Sequence, residues 1–281
     1  MAEPIATYSI VACDPISGAL GIGVQSRFLA VGALVPHAEA GVGAVVTQSF
    51  AHPRHGAAAL GLLREGLAPG EALDRLLDGD PSGDVRQLGA VDALGRSAAF
   101  TGEACVAAAA HRTGEGYTAQ GNMLASTEVV NALAETFEAT AAKPLAERLL
   151  HALDAAEAAG GDFRGQQAAA LLVVEAEAGY AGLSDVVVDL RVDDHERPLA
   201  ELRRLYGLHE AYYGVHPREQ WLPLHDGLAE EVRDRLGRFG YDGGLEQALD
   251  RWAREARLAE RVDGADAIDP VALLVLRSAS R

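Results

Sequence analysis

The sequence predicts an α+β fold with two antiparallel sheets stacked face to face and helices outside them, followed by a small all-α domain. The first observation is the order of the hydrophobic patterns, which runs strands, two helices, strands, two helices, strands. The second is that the helices come in pairs after hairpins, and such pairs cannot supply the regular crossovers of a parallel sheet. The third is a change of composition near residue 210, where periodic segments give way to turn-forming residues.

The predicted strands carry alternating or continuous apolar residues between turn signals. The first four are expected at Thr7–Cys13, Ala19–Val24, Leu29–Val35 and Gly41–Gln48. A second group flanks the turn sequence DALG, at residues 86–91 and 95–100. The last strands are expected in the segments QQAAALLVVEAE and SDVVVDLRVDD.

The predicted helices have apolar residues at intervals of three and four. The first pair covers HGAAALGLLREG and GEALDRLLDGD, and the glycines at positions 66 and 79 end them. The second pair covers residues 127–141 and 144–159. The segments GIGVQS and GVGAVV lie inside apolar strands and not between a strand and a helix, so we do not expect a dinucleotide-binding loop.

The C-terminal domain is predicted from residue 210 onward. The segment YYGVHPREQWLPLHDG has turn signals and no clear period, which is typical of a linker. Amphipathic helices are expected at residues 228–241 and 245–258, separated by the sequence DGG, and a last helix from Asp269-Pro270 to about Ser278.

The formal charge of −17 excludes the function classes that need a basic surface. A nucleic-acid backbone or an anionic membrane surface would repel this chain, so a small molecule is the expected partner. The N-terminal MAEPIA has no basic or apolar signal region, and no run of about 18 apolar residues follows. These features predict a cytoplasmic protein, and Cys13 and Cys105 are expected to be reduced thiols.

Motifs along residues 7–205 resemble those of one known family. They read, in order, TYSIVACDP, GVQSRFLAVGALVP, AGVGAVVTQSF, RQLGAVDALGRSAAFTG, GNML, GGDFRGQQAAALLVV and DLRVDDH. Their sequence and order resemble the domain of unknown function 1028 family, which is regarded as part of the N-terminal-nucleophile hydrolases. The resemblance implies a four-layer αββα sandwich of two antiparallel sheets, in agreement with the order of the elements.

The resemblance also implies that Thr7 is the nucleophile, because it matches the first residue of the mature chain in such hydrolases. A free amine on Thr7, with a pKa of about 8, would take the proton of the hydroxyl on the same residue. Gln25, Ser26 and Arg27 match the polar and charged residues that related enzymes keep beside the nucleophile. We expect Arg27 to lower the pKa of the amine and to bind an anionic substrate group.

Gln48 and Ser49, or their backbone N–H groups, are expected to face a developing oxyanion. The lysine that many relatives place near the nucleophile has no counterpart, because Lys143, in a helical connection, is the only lysine.

Six residues precede Thr7 in this chain, and removal of Met1 alone would expose Ala2. Catalysis by the amine of Thr7 therefore requires cleavage after Ala6 or a later start. The alternatives are that Thr7 is an ordinary strand residue or that Ser9 is the nucleophile.

Other polar groups have both a structural and a functional interpretation. Asn122, in the sequence GNML, either binds a substrate carbonyl or holds a turn. Asp162 and Arg164 are expected to pair, either to shape a loop or to orient a substrate.

Two histidine-containing segments resemble metal sites only superficially. Asp193, Asp194 and His195 are adjacent on a strand and point to opposite faces, and His52 and His55, near a helix start, are expected to cap it or to be exposed. We therefore expect no metal or other cofactor.

The sequence as a whole predicts a hydrolase of a small amide or a related C–N bond, acting as a homodimer. The alternative is a binding protein with the same sandwich that holds a peptide-like or cell-wall-derived ligand. The C-terminal segments resemble a peptidoglycan-binding module, and docking or dimer stabilisation is the other role open to that domain.

Overall fold

The computed structural model describes residue 5, residues 7–214 and residues 218–279. The chain divides into two compact units, Met1–Arg203 and Arg204–Arg281. The division falls inside a helix, Pro198–Tyr213, which the sequence analysis did not predict. The boundary and linker that we placed from residue 210 therefore begin within this helix.

Two antiparallel sheets form the first unit. Within the described residues its strands are β1 Thr7–Cys13, β2 Leu20–Ser26, β3 Pro36–Glu39, β4 Gly43–Ser49, β5 Arg86–Asp92, β6 Ser97–Thr101, β7 Ala110–Gly114, β8 Tyr117–Asn122, β9 Ala168–Val174 and β10 Val186–Val192. The six-stranded sheet has the order β10-β9-β2-β1-β8-β7, and the four-stranded sheet has the order β3-β4-β5-β6. Strand β1 is therefore central, with β2 and β8 as its neighbours.

Helices cover the outer faces of both sheets. They are α1 Pro53–Arg64, α2 Pro69–Asp78, α3 Glu128–Ala139 and α4 Leu145–Ala158, and a further helix, α5 Pro198–Tyr213, follows the last strand. α1 and α2 contact the four-stranded sheet, α3 and α4 contact the six-stranded sheet, and β1, β2 and β8 contact β4 and β5 across the interior. The predicted α+β class with antiparallel sheets and several helices is confirmed.

The interior between the sheets is apolar over most of its area and is built from alternate strand residues such as Val11, Val24 and Val46. The outer face of the six-stranded sheet packs on leucines of α4. A Cβ atom at Gly21 would lie 2.7 Å from the side chain of Leu149, so this strand needs glycine for the close approach of the helix.

The segment Leu29–Val35 was predicted as a strand, and that prediction was wrong. Residues Val31–Ala33 form a 3-10 turn, and β3 begins only at Pro36. Val31 and Val35 are both fully buried and lie four residues apart, which is helical and not strand spacing. An apolar run of this length does not by itself distinguish the two conformations.

Within the described residues, the second unit contains the end of α5, three further α-helices and a small sheet. The helices are α6 Asp226–Arg238, α7 Leu245–Glu255 and α8 Pro270–Ser278, and the strands are β11 Leu222–Pro223, β12 Val262–Asp263 and β13 Ala267–Ile268. The prediction of an all-α domain was therefore wrong in this respect, because β13 pairs with both β11 and β12. Asp269 caps α8 by accepting a hydrogen bond from the backbone N–H of Val271 at 2.7 Å.

Neither cysteine of the chain is in a disulfide, since Cys13 and Cys105 are both free. In the described part of the chain, none of the helices combines the length and apolar character needed to cross a bilayer.

Candidate active site

Thr7 begins β1 and is flanked by polar residues on both neighbouring strands. Its Cα partners are Ser26 on β2 and Asn122 on β8. Directly opposite residues of antiparallel strands project from the same face, so these three side chains share the face that is turned to the four-stranded sheet. All three are fully buried. The structure thus brings together three of the predicted site residues.

The residue two positions before Thr7 is held in place. The backbone of Ile5 pairs with that of Ser49, with N···O distances of 2.6 Å from Ile5 N and 3.1 Å from Ser49 N. The Thr7 hydroxyl donates to the carbonyl oxygen of Ile5 at 3.0 Å. In the intact chain the nucleophile candidate is therefore hydrogen-bonded to its own leader. Ala6, after which the predicted cleavage would occur, lies outside the described residues.

A network of side-chain hydrogen bonds joins the two sheets beside Thr7. Ser9 Oγ donates to Gln48 Oε1 at 2.7 Å and accepts from Gln120 Nε2 at 2.8 Å. Gln87 Oε1 accepts from Gln48 Nε2 at 2.8 Å and from Asn122 Nδ2 at 3.0 Å. Gln48 Nε2 also reaches the carbonyl oxygen of Thr7 at 3.5 Å. These five side chains are fully buried amides and a hydroxyl.

The network surrounds Thr7 with groups that carry no charge. The Oδ1 atom of Asn122 is buried and has no hydrogen-bond partner within the described residues. An unpaired buried acceptor next to the nucleophile candidate can bind an N–H group of a ligand. The position of Asn122 is thus suited to substrate binding as well as to holding the end of β8.

Gln25 lies on the other face of the six-stranded sheet from Thr7. Its Cα partner is Tyr8, whose hydroxyl donates to Glu157 of α4 at 2.7 Å. Burial, and then the neighbouring Glu157, hold the pKa of Tyr8 well above its usual value. Gln25 is fully buried, and within the described residues neither atom of its amide has a partner. The structure therefore does not bring Gln25 to the hydroxyl of Thr7.

Asp162 and Arg164 form the expected ion pair, with 2.9 Å between Arg164 Nη2 and Asp162 Oδ2. The buried carboxylate also accepts the backbone N–H of Arg27 at 3.1 Å. The guanidinium of Arg27 is exposed and donates to the carbonyl oxygen of Gln166 at 3.1 Å. Arg27 lines a cavity of about 390 Å³ together with Gln167 and other residues. It lies beyond the end of β2 and has no hydrogen bond to Thr7.

Ser49 joins the site to a second polar cluster, which the sequence analysis missed. Ser49 has a φ of 63°, in the left-handed region, and it pairs with Arg86 on β5. Arg86 Nε donates to Asp80 Oδ2 at 2.7 Å, and the thiol of Cys105 donates to the carbonyl oxygen of Arg86 at 3.3 Å. His55 Nε2 lies 3.6 Å from Asp80 Oδ2.

This cluster corrects the interpretation of the two histidines near α1. His55 is buried, with 8% of its surface exposed, and its ring stacks on that of His52 at 4.3 Å. His52 occupies the N-cap position but makes no side-chain capping bond. Burial, then His52, lowers the pKa of His55, and Asp80 opposes the shift. The segment HPRH alone gave no signal for this, because Asp80 and Arg86 come from distant positions in the sequence.

The segment that resembled a metal trio has other contacts. Asp194 accepts from Gln167 Nε2 at 3.0 Å, and His195 Nδ1 accepts from the backbone N–H of Arg197 at 2.9 Å. Over the described ranges, no three histidine, cysteine or acidic side chains are placed to hold a metal ion.

Comparison with known proteins gives a matching family, and the solved structures that match include two proteins with the following values. The family model described as "Family of unknown function (DUF1028)" matches residues 7–202. Protein SPO2555 from Silicibacter pomeroyi, a DUF1028 protein of known crystal structure, is 32% identical, with a TM-score of 0.67 over 81% of this chain and 90% of that chain. Anbu (ancestral beta-subunit) from Yersinia bercovieri is 14% identical, with a TM-score of 0.33 over 72% of this chain and 93% of that chain. No curated protein matches this chain.

Proposed function

We propose that this chain, which belongs to the DUF1028 family of unknown function, hydrolyses a small amide or a related C–N bond. The nucleophile is Thr7, in a sandwich of the N-terminal-nucleophile hydrolase type. The observation that carries the proposal is the position of Thr7 at the start of the central strand, buried among uncharged polar side chains that span both sheets. Apolar residues fill most of the remaining space between the sheets.

The proposed chemistry uses the two functional groups of Thr7. Once the residues before Thr7 are removed, its α-amine takes the proton of Oγ1, and the oxygen attacks the carbonyl carbon of the substrate. The amine then gives this proton to the leaving nitrogen as the C–N bond breaks. Water attacks the resulting ester in the same way, and the acid product leaves with Thr7 restored. No cofactor takes part in these steps.

The oxyanion of the tetrahedral intermediate needs hydrogen-bond donors close to Thr7. Removal of Ile5 would free the backbone N–H of Ser49, which in the intact chain donates to the Ile5 carbonyl oxygen. Gln48 Nε2 already lies 3.5 Å from the Thr7 carbonyl oxygen. We assign these two donors to the oxyanion.

The substrate contacts follow from the remaining polar groups. Asn122 Oδ1 accepts an N–H group of the scissile amide, because it is a buried acceptor without a protein partner among the described residues. Arg27 binds an anionic group of the substrate at the rim, and the ion pair of Asp162 with Arg164 fixes the loop that holds the Arg27 backbone.

Three variants test the role of Thr7, assayed on acyl-amino acids, γ-glutamyl compounds, ureido acids and small amides. Thr7→Ala should lower turnover by at least about three orders of magnitude, because the attacking oxygen is absent. Thr7→Ser should keep part of the activity. The matched control is Thr118→Ala, a fully buried threonine on β8 whose side chain shares the Thr7 face and has no partner in the described part of the chain.

A chain that starts Met-Thr7 completes the test, because removal of methionine then exposes the required amine directly. This chain should be at least as active as the full chain, and intact mass should show Thr7 as the first residue of the active protein. Full activity of Thr7→Ala, or activity in protein that retains residues 1–6, would show that the nucleophile assignment is wrong.

The second candidate function is a binding protein that keeps the sandwich and is not processed. The pairing of Ile5 with Ser49 favours it, because Ile5 is packed in the interior with 5% of its surface exposed. Such a protein would hold a peptide-like or cell-wall-derived ligand at the same site beside Thr7. Intact mass of the purified protein, with residues 1–6 quantitatively present and no hydrolysis of any panel compound, would favour this function.

A further inference from the structure

A cavity of about 720 Å³ lies at the opposite end of β1 from Thr7. Cys13, the last residue of β1, lines it together with three hairpin turns and the connection between α3 and α4. A strand rises about 3.4 Å per residue, so about 20 Å of β1 separate this cavity from Thr7. The cavity is therefore distinct from the candidate active site.

The side chain of Arg148 lines this cavity together with Asp14, and among the described residues no carboxylate forms an ion pair with it. Its guanidinium carbon lies 3.8 Å from the centroid of the Phe137 ring, and Nη2 donates to the Phe137 carbonyl oxygen at 3.4 Å. Its Nε atom is buried and has no hydrogen-bond partner among the described residues. Arg86 and Arg164 are also largely buried, but each pairs with an aspartate.

This lone guanidinium is unusual for a chain with 41 acidic and 24 basic residues. A partly buried cation loses hydration, and an anion at short range compensates for that loss. Burial lowers the pKa of Arg148, which reflects the same loss of hydration, and the Asp14 carboxylate opposes this shift. A bound anion would supply the missing partner.

The other lining residues limit the kind of anion. Lys143 already pairs with Glu147 at 3.0 Å. Asp14 and Glu115 also line the cavity, and one oxygen of Asp14 accepts the N–H of Ile16 at 2.8 Å. Two carboxylates in the lining disfavour an anion with several charges, such as a phosphate. A single carboxylate that reaches Arg148 fits this charge distribution.

The apolar part of the lining indicates what the rest of the ligand is. Phe137 is 2% exposed and lies under the Arg148 guanidinium, whereas Ile16 and Leu94 at the turns have 96% and 79% of their surface exposed. A volume of this size is in the range of cavities that bind small organic molecules. We propose that this cavity binds a small organic monocarboxylate with an apolar body, the carboxylate at Arg148 and the body against Ile16 and Leu94.

Calorimetric titration of the full chain tests the proposal, with phenylacetate, 4-phenylbutyrate and octanoate as probes and the matching neutral amides as references. A charge-assisted hydrogen bond contributes enough for at least about a tenfold preference. At least one carboxylate should therefore bind at least about tenfold more tightly than its amide, and with a Kd no weaker than the low millimolar range.

Variants then locate the site. Arg148→Met should abolish the preference for carboxylate over amide, and Arg148→Lys should keep part of it. Arg54→Met, at an exposed position of α1, is the matched control and should bind like the wild type. Ala142→Trp should block binding of carboxylate and amide alike, because it fills the cavity from an exposed position while leaving Arg148 in place.

Three results would overturn the proposal. The first is that every carboxylate binds no better than its amide. The second is that Arg148→Met and Ala142→Trp bind as the wild type does, although circular dichroism shows that both variants are folded. The third is that Leu94→Asp converts a dimer into a monomer in light scattering while no probe binds, since a second copy of the chain would then be the occupant.

Discussion

Gln25 shows how a single buried side chain can separate stability from function. It is fully buried, and its amide has no hydrogen-bond partner in the described part of the chain. An unpaired buried amide costs free energy of folding, and a natural sequence tolerates that cost where the group has another use. The outer face of β2 beside Tyr8 is therefore the place to look for a ligand contact that the hydroxyl face does not offer.

Replacement of Gln25 shows whether its amide only destabilises the fold or also contacts a ligand. Gln25→Leu should raise the free energy of unfolding by about 1–3 kcal/mol, because the unpaired polar group is replaced by an apolar one of similar volume. Urea denaturation measures the gain. Unchanged activity in the stabilised variant would argue against a ligand contact at Gln25, and a loss of stability would mean that its amide is paired in solution.

Asp80 makes the stability of the first unit depend on pH. The hydrogen bond from Arg86, first among the causes, lowers the pKa of Asp80, whose side chain has 7% of its surface exposed. A carboxylate with a lowered pKa in the folded state stabilises the fold above its unfolded value, about 3.9, and this contribution is lost as the pH falls below that value.

Asp80→Asn should therefore lower the free energy of unfolding by about 1–3 kcal/mol at pH 7. The difference from the wild type should shrink as the pH falls below about 3.9, because Asp80 is then protonated first in the unfolded chain and, at still lower pH, in the folded protein. Urea denaturation at several pH values measures both effects. Asp74→Asn, at an exposed position of α2, is the control and should change little. A difference that grows towards low pH would contradict the assignment.

At the scale of the element, β8 shows why some strands can be predicted from sequence patterns and others cannot. The apolar strands β1, β4, β5 and β9 are predicted from their patterns because they are buried on both faces. Strand β8 was missed, although it is fully buried and pairs with β1. Its inward residues are Thr118, Gln120 and Asn122, which form a polar row that sequence patterns assign to loops.

Polar strand residues without a recognisable sequence pattern also limit how far the candidate site can be predicted. Thr7 was identified from a family resemblance, and Gln48 and Asn122 from polar motifs at the ends of strands, but Gln87 and Gln120 carry no local signal. They are recognised as site residues only when β5 and β8 face each other across the interior. The register of β2 could not be predicted from the sequence either. It places Ser26, and not Gln25, on the same face as Thr7.

The polar row of β8 requires a glycine on the facing strand. A Cβ atom at Gly89 of β5 would lie 2.2 Å from Gln120 Oε1 and 2.7 Å from Thr118 Oγ1. Gly89→Ala should therefore lower the free energy of unfolding by about 1–3 kcal/mol through overpacking. Thermal or urea unfolding provides the measurement.

The matched control is Gly61→Ala in α1, where a Cβ atom would meet no atom within 4 Å. This change should stabilise the protein by about 0.5–1 kcal/mol, because alanine favours the helix. Equal effects of the two substitutions would mean that the sheets are not packed as tightly at Gly89 as described.

At the scale of the whole molecule, α5 is the element that belongs to both units. It begins in the first unit and ends in the second. Near its start, Leu199 and Leu202 are buried and Arg203 forms an ion pair with Asp154 of α4. The first unit thus includes the beginning of this helix as well as the two sheets.

Truncation tests where the first unit ends. A chain that stops after Tyr206 keeps these contacts and should remain folded, with a cooperative thermal transition. A chain that stops after Arg197 lacks Leu199, Leu202 and Arg203 and should unfold at a lower temperature, because each buried leucine contributes about 1.5–3 kcal/mol. An insoluble or molten chain in the first case would mean that the second unit is needed for the fold of the first.

The amide network between the sheets also has a mechanical consequence. Two apolar surfaces can shear past one another by a fraction of an ångström at little cost, because dispersion contacts have no preferred direction. Hydrogen bonds weaken steeply when their geometry is lost, so the bonds from Ser9 to Gln48 and from Asn122 to Gln87 resist such sliding. These hydrogen bonds fix the alignment of the two sheets. Thr7 lies at one end of this row of hydrogen bonds. Its position relative to Gln48 and Ser49 is therefore set by the interface between the two sheets and not by the stiffness of β1 alone.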